Sequence, residues 1–172
     1  MVILVDRNDR AIGLSGKLEA HRNALLHRAF SIFLFNSKGE LLLQQRNPAK
    51  YHSGGLWTNT CCSHPLPGED IHQAAARRLK QEMGLECGLD FLFKFRYRTP
   101  FENGLSEHEI DYIFTGTCDT LPVIDREEVA GYTYMAAPLI RTDIRENPEK
   151  YTVWFRLIWE RVMKKLTSLS GL

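Results

Sequence analysis

Pro67-Gly68-Glu69-Asp70-Ile71-His72-Gln73-Ala74-Ala75-Ala76-Arg77-Arg78-Leu79-Lys80-Gln81-Glu82-Met83-Gly84 is the stretch from which the architecture can be read. A helix is predicted over residues 70–83. Pro67-Gly68 turns the chain ahead of it, the Asp70 carboxylate can cap its free N–H groups, and Gly84 can end it. Ile71 and Leu79 with three successive alanines give a face of small side chains, suited to close packing on a sheet. Arg78 and Glu82 lie four apart and share a face. They form either a surface ion pair of about 0.3–0.5 kcal/mol or a functional pair, with Glu82 on a hard cation and Arg78 on a phosphate.

On either side of this helix the pattern changes to strands. Residues 30–35 and 41–45 read as two apolar strands, with hairpin chemistry in Asn36-Ser37-Lys38-Gly39 between them. Residues 91–98 alternate, placing Phe91, Phe93, Phe95 and Tyr97 on one face and Lys94, Arg96 and Arg98 on the other. Residues 107–114 alternate too, Ile110, Tyr112 and Phe114 against Glu107, Glu109 and Asp111. Another strand is expected over 131–135, and helices after Pro138 and after Asn147-Pro148, the last carrying Trp154, Phe155, Leu157, Ile158 and Trp159. The start, Met1 to Asp6, reads as a short strand closed by Arg7-Asn8-Asp9-Arg10. With no repeat, low-complexity tract or linker, residues 1–172 form one mixed α/β domain.

Composition narrows the function. The 172 residues are 44% hydrophobic and 25% charged, ordinary globular values. A net charge of +1 lacks the basic field of a dedicated nucleic-acid binder. No apolar run approaches the roughly 20 residues that cross a bilayer, and the first residues lack the charged lead and cleavage site of a signal peptide. The four cysteines, irregularly spaced and two of them adjacent, read as reduced thiols of a cytosolic protein.

Chemistry concentrates in Thr58-Asn59-Thr60-Cys61-Cys62-Ser63-His64-Pro65. In an extended segment Cys62 and His64 project into one space while Cys61 and Ser63 point away. A thiol can act as acid, base or nucleophile, and imidazole is the commonest metal ligand. Glu107, Glu109 and Asp111 on one strand face form either a solvated surface or a metal-binding edge joined by histidines from elsewhere. His21, His27 and His64 are the candidates for that role, while His52, His72 and His108 have no such company. Lys17, Arg46 and Lys50 are ambiguous alone, and Trp154 reads as a core aromatic or a cation-facing ring.

Five blocks in order now carry a resemblance over nearly the whole chain. They are Leu26-His27-Arg28-Ala29-Phe30-Ser31, Leu42-Leu43-Gln44-Gln45-Arg46, Trp57-Thr58-Asn59-Thr60-Cys61-Cys62-Ser63-His64-Pro65, Phe95-Arg96-Tyr97-Arg98 and Glu107-His108-Glu109. Together they are similar to the type 1 isopentenyl-diphosphate Δ-isomerases, a branch of the Nudix fold. The Nudix box survives in part: aligned on Gly84, it keeps Glu69, Arg77, Leu79, Glu82, Gly84 and Leu85. Its leading glycine falls on Ser63, and two hydrolase glutamates fall on Arg78 and Gln81. Loss of those carboxylates argues against the alternative, a Nudix hydrolase of a diphosphate substrate. A non-catalytic zinc module would call for several cysteines, and only one Cys-x-His element is present.

The resemblance implies a Nudix-like mixed β-sheet sandwiched between helices, with N-terminal strand and loop additions. It implies reversible conversion of isopentenyl diphosphate to dimethylallyl diphosphate by protonation and deprotonation across the allyl unit. Cys62 and Glu109 match the acid/base pair, Tyr97 the tyrosine that hydrogen-bonds the glutamate, and Trp154 the aromatic facing the cation. His21, His27, His64, Glu107 and Glu109 match the ligands of one Mn²⁺ or Zn²⁺. Glu82 and the Cys62 carbonyl match a Mg²⁺ site with the diphosphate, which Lys17, Arg46, Lys50 and Arg78 contact. His21 is placed partly by Lys17, four residues before it, because the loop between the first two histidines varies in length. A cytoplasmic, prokaryotic enzyme, monomeric or weakly dimeric, is the expected setting, with no nucleic-acid or membrane partner.

Overall fold

Strands β3 (His27–Phe35) and β8 (Ser106–Thr117) run parallel within a nine-stranded sheet, His27 opposite Glu109 and Phe35 opposite Thr117. The computed structural model describes residues 1–101 and 103–169. Around this pair the strand ladders are antiparallel. β7 (Asp90–Pro100) lies against β8, while β1 (Val2–Val5) touches the start of β3 and carries β2 (Ala11–Ser15) beyond it. β2 and the short helix α1 (Lys17–Arg22) are the N-terminal additions.

The expected hairpin is formed at its turn and opened at its strands. Asn36 Oδ1 accepts the N–H groups of Lys38 and Glu40 at 3.0 and 2.9 Å, and Gly39 takes φ 75°. Beyond that turn, β3 and β4 (Glu40–Arg46) share only the Phe35–Leu41 pair. They part because residues 57–63 fill the gap. β5 (Trp57–Thr58) pairs with β4, and β6 (Cys61–Ser63) pairs with β3. The link between them is stitched to both strands: Thr60 Oγ1 accepts from Leu34 N and donates to Leu42 O, and Asn59 Nδ2 donates to Ile32 O. β9 (Val129–Ala136) pairs with β4 along its whole length, from Glu40 to Arg46.

Helices cover both faces. α2 (Ile71–Met83) is capped by the Asp70 carboxylate, which accepts from His72 N and Gln73 N, and ends on Gly84 at φ 66°. Its buried Ala74, Ala75, Leu79 and Met83 pack on Phe30, Ile32, Leu34 and Phe114. On the other face α4 (Val153–Leu169) lays Trp154, Phe155, Ile158, Trp159 and Val162 against Phe33, Leu41, Leu43 and Ile113. α3 (Ala137–Glu146) adds Ile140, and a single 3₁₀ turn at Pro148–Lys150 joins the two. Each fully buried large apolar side chain contributes about 1.5–3 kcal/mol. This is the expected sheet between helices.

One expected face is corrected. A register shift between Phe91 and Phe93 turns Phe91 to the opposite side from Phe93, Phe95 and Tyr97. Leu92 enters the α4 core instead, and Phe91, 43% exposed, rests against Tyr112 and Phe114. A bulge adds one residue to one strand, so strict alternation misassigns everything before it.

Both ends of α2 can be tested by thermal denaturation. Asp70→Ala removes the cap and should cost about 1 kcal/mol, lowering Tm by about 2–4 °C. Gly84→Ala should cost more, about 1–3 kcal/mol, because a Cβ there meets Val123 O at 2.6 Å. A Gly84→Ala protein melting with the wild type would contradict this account of the helix stop.

Candidate active site and metal centre

The β3–β8 register builds the centre, since it sets His27 directly beside Glu109. His27 donates Nδ1–H to Leu25 O at 2.8 Å, so its Nε2 is turned inward. There it lies 3.2 Å from His64 Nε2, and Glu109 Oε1 is 3.3 and 3.0 Å from these two nitrogens. His64 arrives from the residue after β6, and burial pushes its imidazole down to about 3, which keeps it neutral. His21, on α1 and only 1% exposed, gives Nδ1–H to Lys17 O at 2.6 Å and leaves a buried Nε2 without a partner. The ligand atoms of His21, His27, His64 and Glu109 all lie within 4.8 Å of one another. Three inward lone pairs and a carboxylate oxygen cannot satisfy each other with protons alone, and they fit a divalent cation.

The acidic row is buried, which rules out the solvated reading of that strand face. Glu107, Glu109 and Asp111 are 5%, 5% and 2% exposed. Tyr97 Oη sits 2.8 Å from Glu107 Oε2 and 2.7 Å from Glu109 Oε2, so one phenol proton serves two carboxylates. Burial opposes ionisation of Glu109, but the His27 and His64 imidazoles beside it reverse this and hold its carboxyl well below the usual range. Burial and the Glu109 charge push Glu107 well above it. Asp111 is also raised by burial and by Glu109, and it accepts a 2.7 Å bond from Ser31.

Across the cleft, β6 alternates as its spacing predicts. Cys61 is fully buried in the α2 core, whereas Cys62 turns the other way. The Cys62 thiol faces Trp154 Nε1 at 3.3 Å and Ser31 Oγ at 3.6 Å, and it lies 3.1 Å from Asn59 Oδ1. Burial, then the nearby Asp111, push this thiol up to about 12, so it carries its proton at neutral pH. Cys62 lines one narrow cleft with Trp154, Lys17, Arg46, Tyr97 and Glu109. Thiol and carboxylate therefore open on one space.

The remaining cations divide into two groups. Arg46 stands 5.2 Å over the Trp154 ring and donates to Ser53 O and His52 O; Lys17 lies 5.4 Å over Tyr51. Lys50, Arg78 and Glu82 do not line the cleft. Arg78 pairs with Glu82 and, at 3.3 Å, with Glu128, which also holds Lys50. Glu82 is buried and accepts a 3.1 Å bond from Gln44.

Sequence reasoning singled out His21, His27, His64, Glu109, Tyr97, Cys62 and Trp154, and the structure gathers all seven. Glu107 is gathered as well, although its ligand oxygen groups with His21 and His52 and not with His27 and His64. His52, set aside in the sequence for lack of company, is buried at 8% exposure beside Glu107. Glu128, Ser31 and Asn59 were also missed. A glutamate in a loop, a serine within β3 and an asparagine in the link between β5 and β6 carry no periodic signal of their partners.

Comparison with known proteins agrees with this geometry. The model of the NUDIX domain matches residues 25–155. The fold is shared with a crystal structure from Deinococcus radiodurans, at TM-score 0.78 and 21% identity, covering 93% of this chain and 97% of that one. It is shared too with the MutT protein from Methanosarcina mazei, at TM-score 0.68 and 19% identity over 81% and 94%. Isopentenyl-diphosphate Delta-isomerase from Pectobacterium atrosepticum is 49% identical over 161 residues, 94% of this chain and 90% of its own. Isopentenyl-diphosphate Delta-isomerase 2 from Aromatoleum aromaticum is 47% identical over 170 residues, 99% and 89%. A NUDIX-domain architecture, these relatives and a cysteine facing a histidine–glutamate cluster place the chain in the isopentenyl-diphosphate Delta-isomerase family.

Proposed function

We propose that the protein interconverts isopentenyl diphosphate and dimethylallyl diphosphate, with Cys62 and Glu109 as the acid/base pair. The observation that carries this reading is the pairing of a protonated thiol with an ionised carboxylate in one cleft. Alkene isomerisation needs one group that can give a proton and another that can take one, in a space that excludes water. Going from isopentenyl to dimethylallyl diphosphate, a proton is added at the terminal alkene carbon. The tertiary carbocation-like state that results loses a different proton from C2.

Tyr97 holds Glu109 in place through its 2.7 Å bond and can relay a proton to or from it. Trp154, hydrogen-bonded to the Cys62 sulfur, presents its ring where positive charge develops. Lys17, Arg46, Lys50 and Arg78 serve the diphosphate, and Glu82 with the Cys62 carbonyl serves its Mg²⁺. His21, His27, His64, Glu107 and Glu109 would hold one Mn²⁺ or Zn²⁺, whose charge, when bound, offsets carboxylate repulsion and fixes Glu109. A cytoplasmic setting, as a monomer or weak dimer, belongs to the same reading. Among the described residues no helix is long and apolar enough to cross a membrane, and the four cysteines are free.

Hydrolysis is the second reading, and α2 speaks against it. The positions where a hydrolase carries two glutamates hold Arg78 and Gln81, which bond each other at 3.3 Å.

Incubation with isopentenyl diphosphate and Mg²⁺ in D₂O, followed by NMR, tests the reaction directly: deuterium should enter the methyl group of dimethylallyl diphosphate, while phosphate release would support the hydrolase. Cys62→Ala and Glu109→Gln should each lower kcat by about 10²–10⁴-fold with the circular dichroism spectrum unchanged; full activity in either sinks the acid/base assignment. Elemental analysis of purified protein should find about one transition ion per chain, lost in His64→Ala. Unchanged metal content in that variant would contradict the ligand set.

A further inference from the structure

Two arginines of the Phe95-Arg96-Tyr97-Arg98 block have no part in the proposed reaction. Along β7 they alternate with Tyr97, so they project from the opposite face of the sheet to the hydroxyl that reaches Glu107 and Glu109. Both are exposed. The ladder sets Arg98 beside His108 and Arg96 beside Ile110 on β8. Arg7 joins them from the turn between β1 and β2, and the three arginines line one groove with Val5 and Leu26.

The charge of these arginines is unanswered. Elsewhere guanidinium groups meet carboxylates: Arg28 pairs with Asp9, Arg77 with Glu69, Arg78 with Glu82 and Arg141 with Glu160. Among the described residues, the side chains of Arg7, Arg96 and Arg98 make no ion pair and no hydrogen bond. The one acid of the groove lining, Asp6, turns Oδ1 onto the backbone N–H groups of Asn8 and Arg10 at 2.8 and 2.9 Å. His108 gives Nδ1–H to Ala24 O at 3.0 Å, which fixes its ring as a wall. Like charges held near one another repel, and an anion between them removes that cost. Phosphate suits such a place, because the planar guanidinium fork offers it paired N–H donors.

We propose that this groove is a second anion site, taking the phosphate group of a small organic phosphate while Val5 and Leu26 receive its apolar part. A net charge of +1 supplies no extended basic field, so a small anion fits better here than a polymer. The sheet separates the groove from the cleft, Tyr97 being the residue common to both linings. Its cations are none of those assigned to the diphosphate of the proposed reaction, so the site stands independently of that reading.

Titration of ¹⁵N-labelled protein with phenyl phosphate, and in parallel with inorganic phosphate, provides the test by NMR. Phenyl phosphate should shift the amide signals of Arg7, Leu26, Arg96 and Arg98 along one saturating curve. In an Arg96→Gln, Arg98→Gln double variant the Arg7 and Leu26 signals should need about tenfold more ligand or beyond to saturate. The signals of Cys62 and Glu109 and the circular dichroism spectrum should match the wild type. Inorganic phosphate should bind the groove more weakly, because it makes no apolar contact. A groove without a saturable shift, or a curve that the double variant leaves in place, would overturn the site. Equal affinity for inorganic phosphate would overturn the role given to Val5 and Leu26.

Discussion

Three buried carboxylates on alternate positions of one strand set the terms for the rest of this molecule. Glu107, Glu109 and Asp111 share the inner face of β8, each about 5% exposed or less. An isolated buried charge is costly, and like charges at this spacing add to the cost. Each carboxylate meets a different answer. Glu109 is held ionised by His27 and His64, Glu107 is raised beside the Tyr97 hydroxyl and His52, and Asp111 is raised and takes a hydrogen bond from Ser31. The histidines come from α1, from the start of β3 and from the chain after β6, so the acidic row draws distant segments to one place.

Chemistry at this site also needs an opposite wall, and that wall comes from the wedge between β3 and β4. Short polar side chains do the work there: Thr60 bonds backbone on both flanking strands, and Asn59 reaches Ile32 O and Cys61 O. Thr58 is tied to Thr152 at the entrance to α4, which brings Trp154 over Cys62. The same residues that close the sheet therefore aim the thiol. Structure and function share hydrogen bonds here, not merely proximity.

Much of this was legible from residues. α2 was readable at both ends because Asp70 and Gly84 act locally, through backbone geometry that depends on little else. The alternation over 107–114 was equally clear, but whether its acidic face was wet or buried was not, since that depends on what covers it. The pairing of β3 with β8 is parallel and joins residues about 80 apart, so no local pattern announces it. The same holds for His52, whose value comes from Glu107 across the cleft. Residues 91–98 misled at Phe91 because a bulge leaves no mark on composition.

The adjacent cysteines have a consequence for how this chain can vary in length. Cys61 belongs to the core under α2, Cys62 to the cleft beside α4, and only the two-residue repeat of β6 keeps them apart. Inserting or deleting one residue between Asn59 and His64 would exchange the two thiols. It would place a void in one core, a misfit in the other, and take His64 from its partners. The exposed turn at 36–39 can change length without moving either wall, but this short segment tolerates neither change. Natural length variation should bypass it.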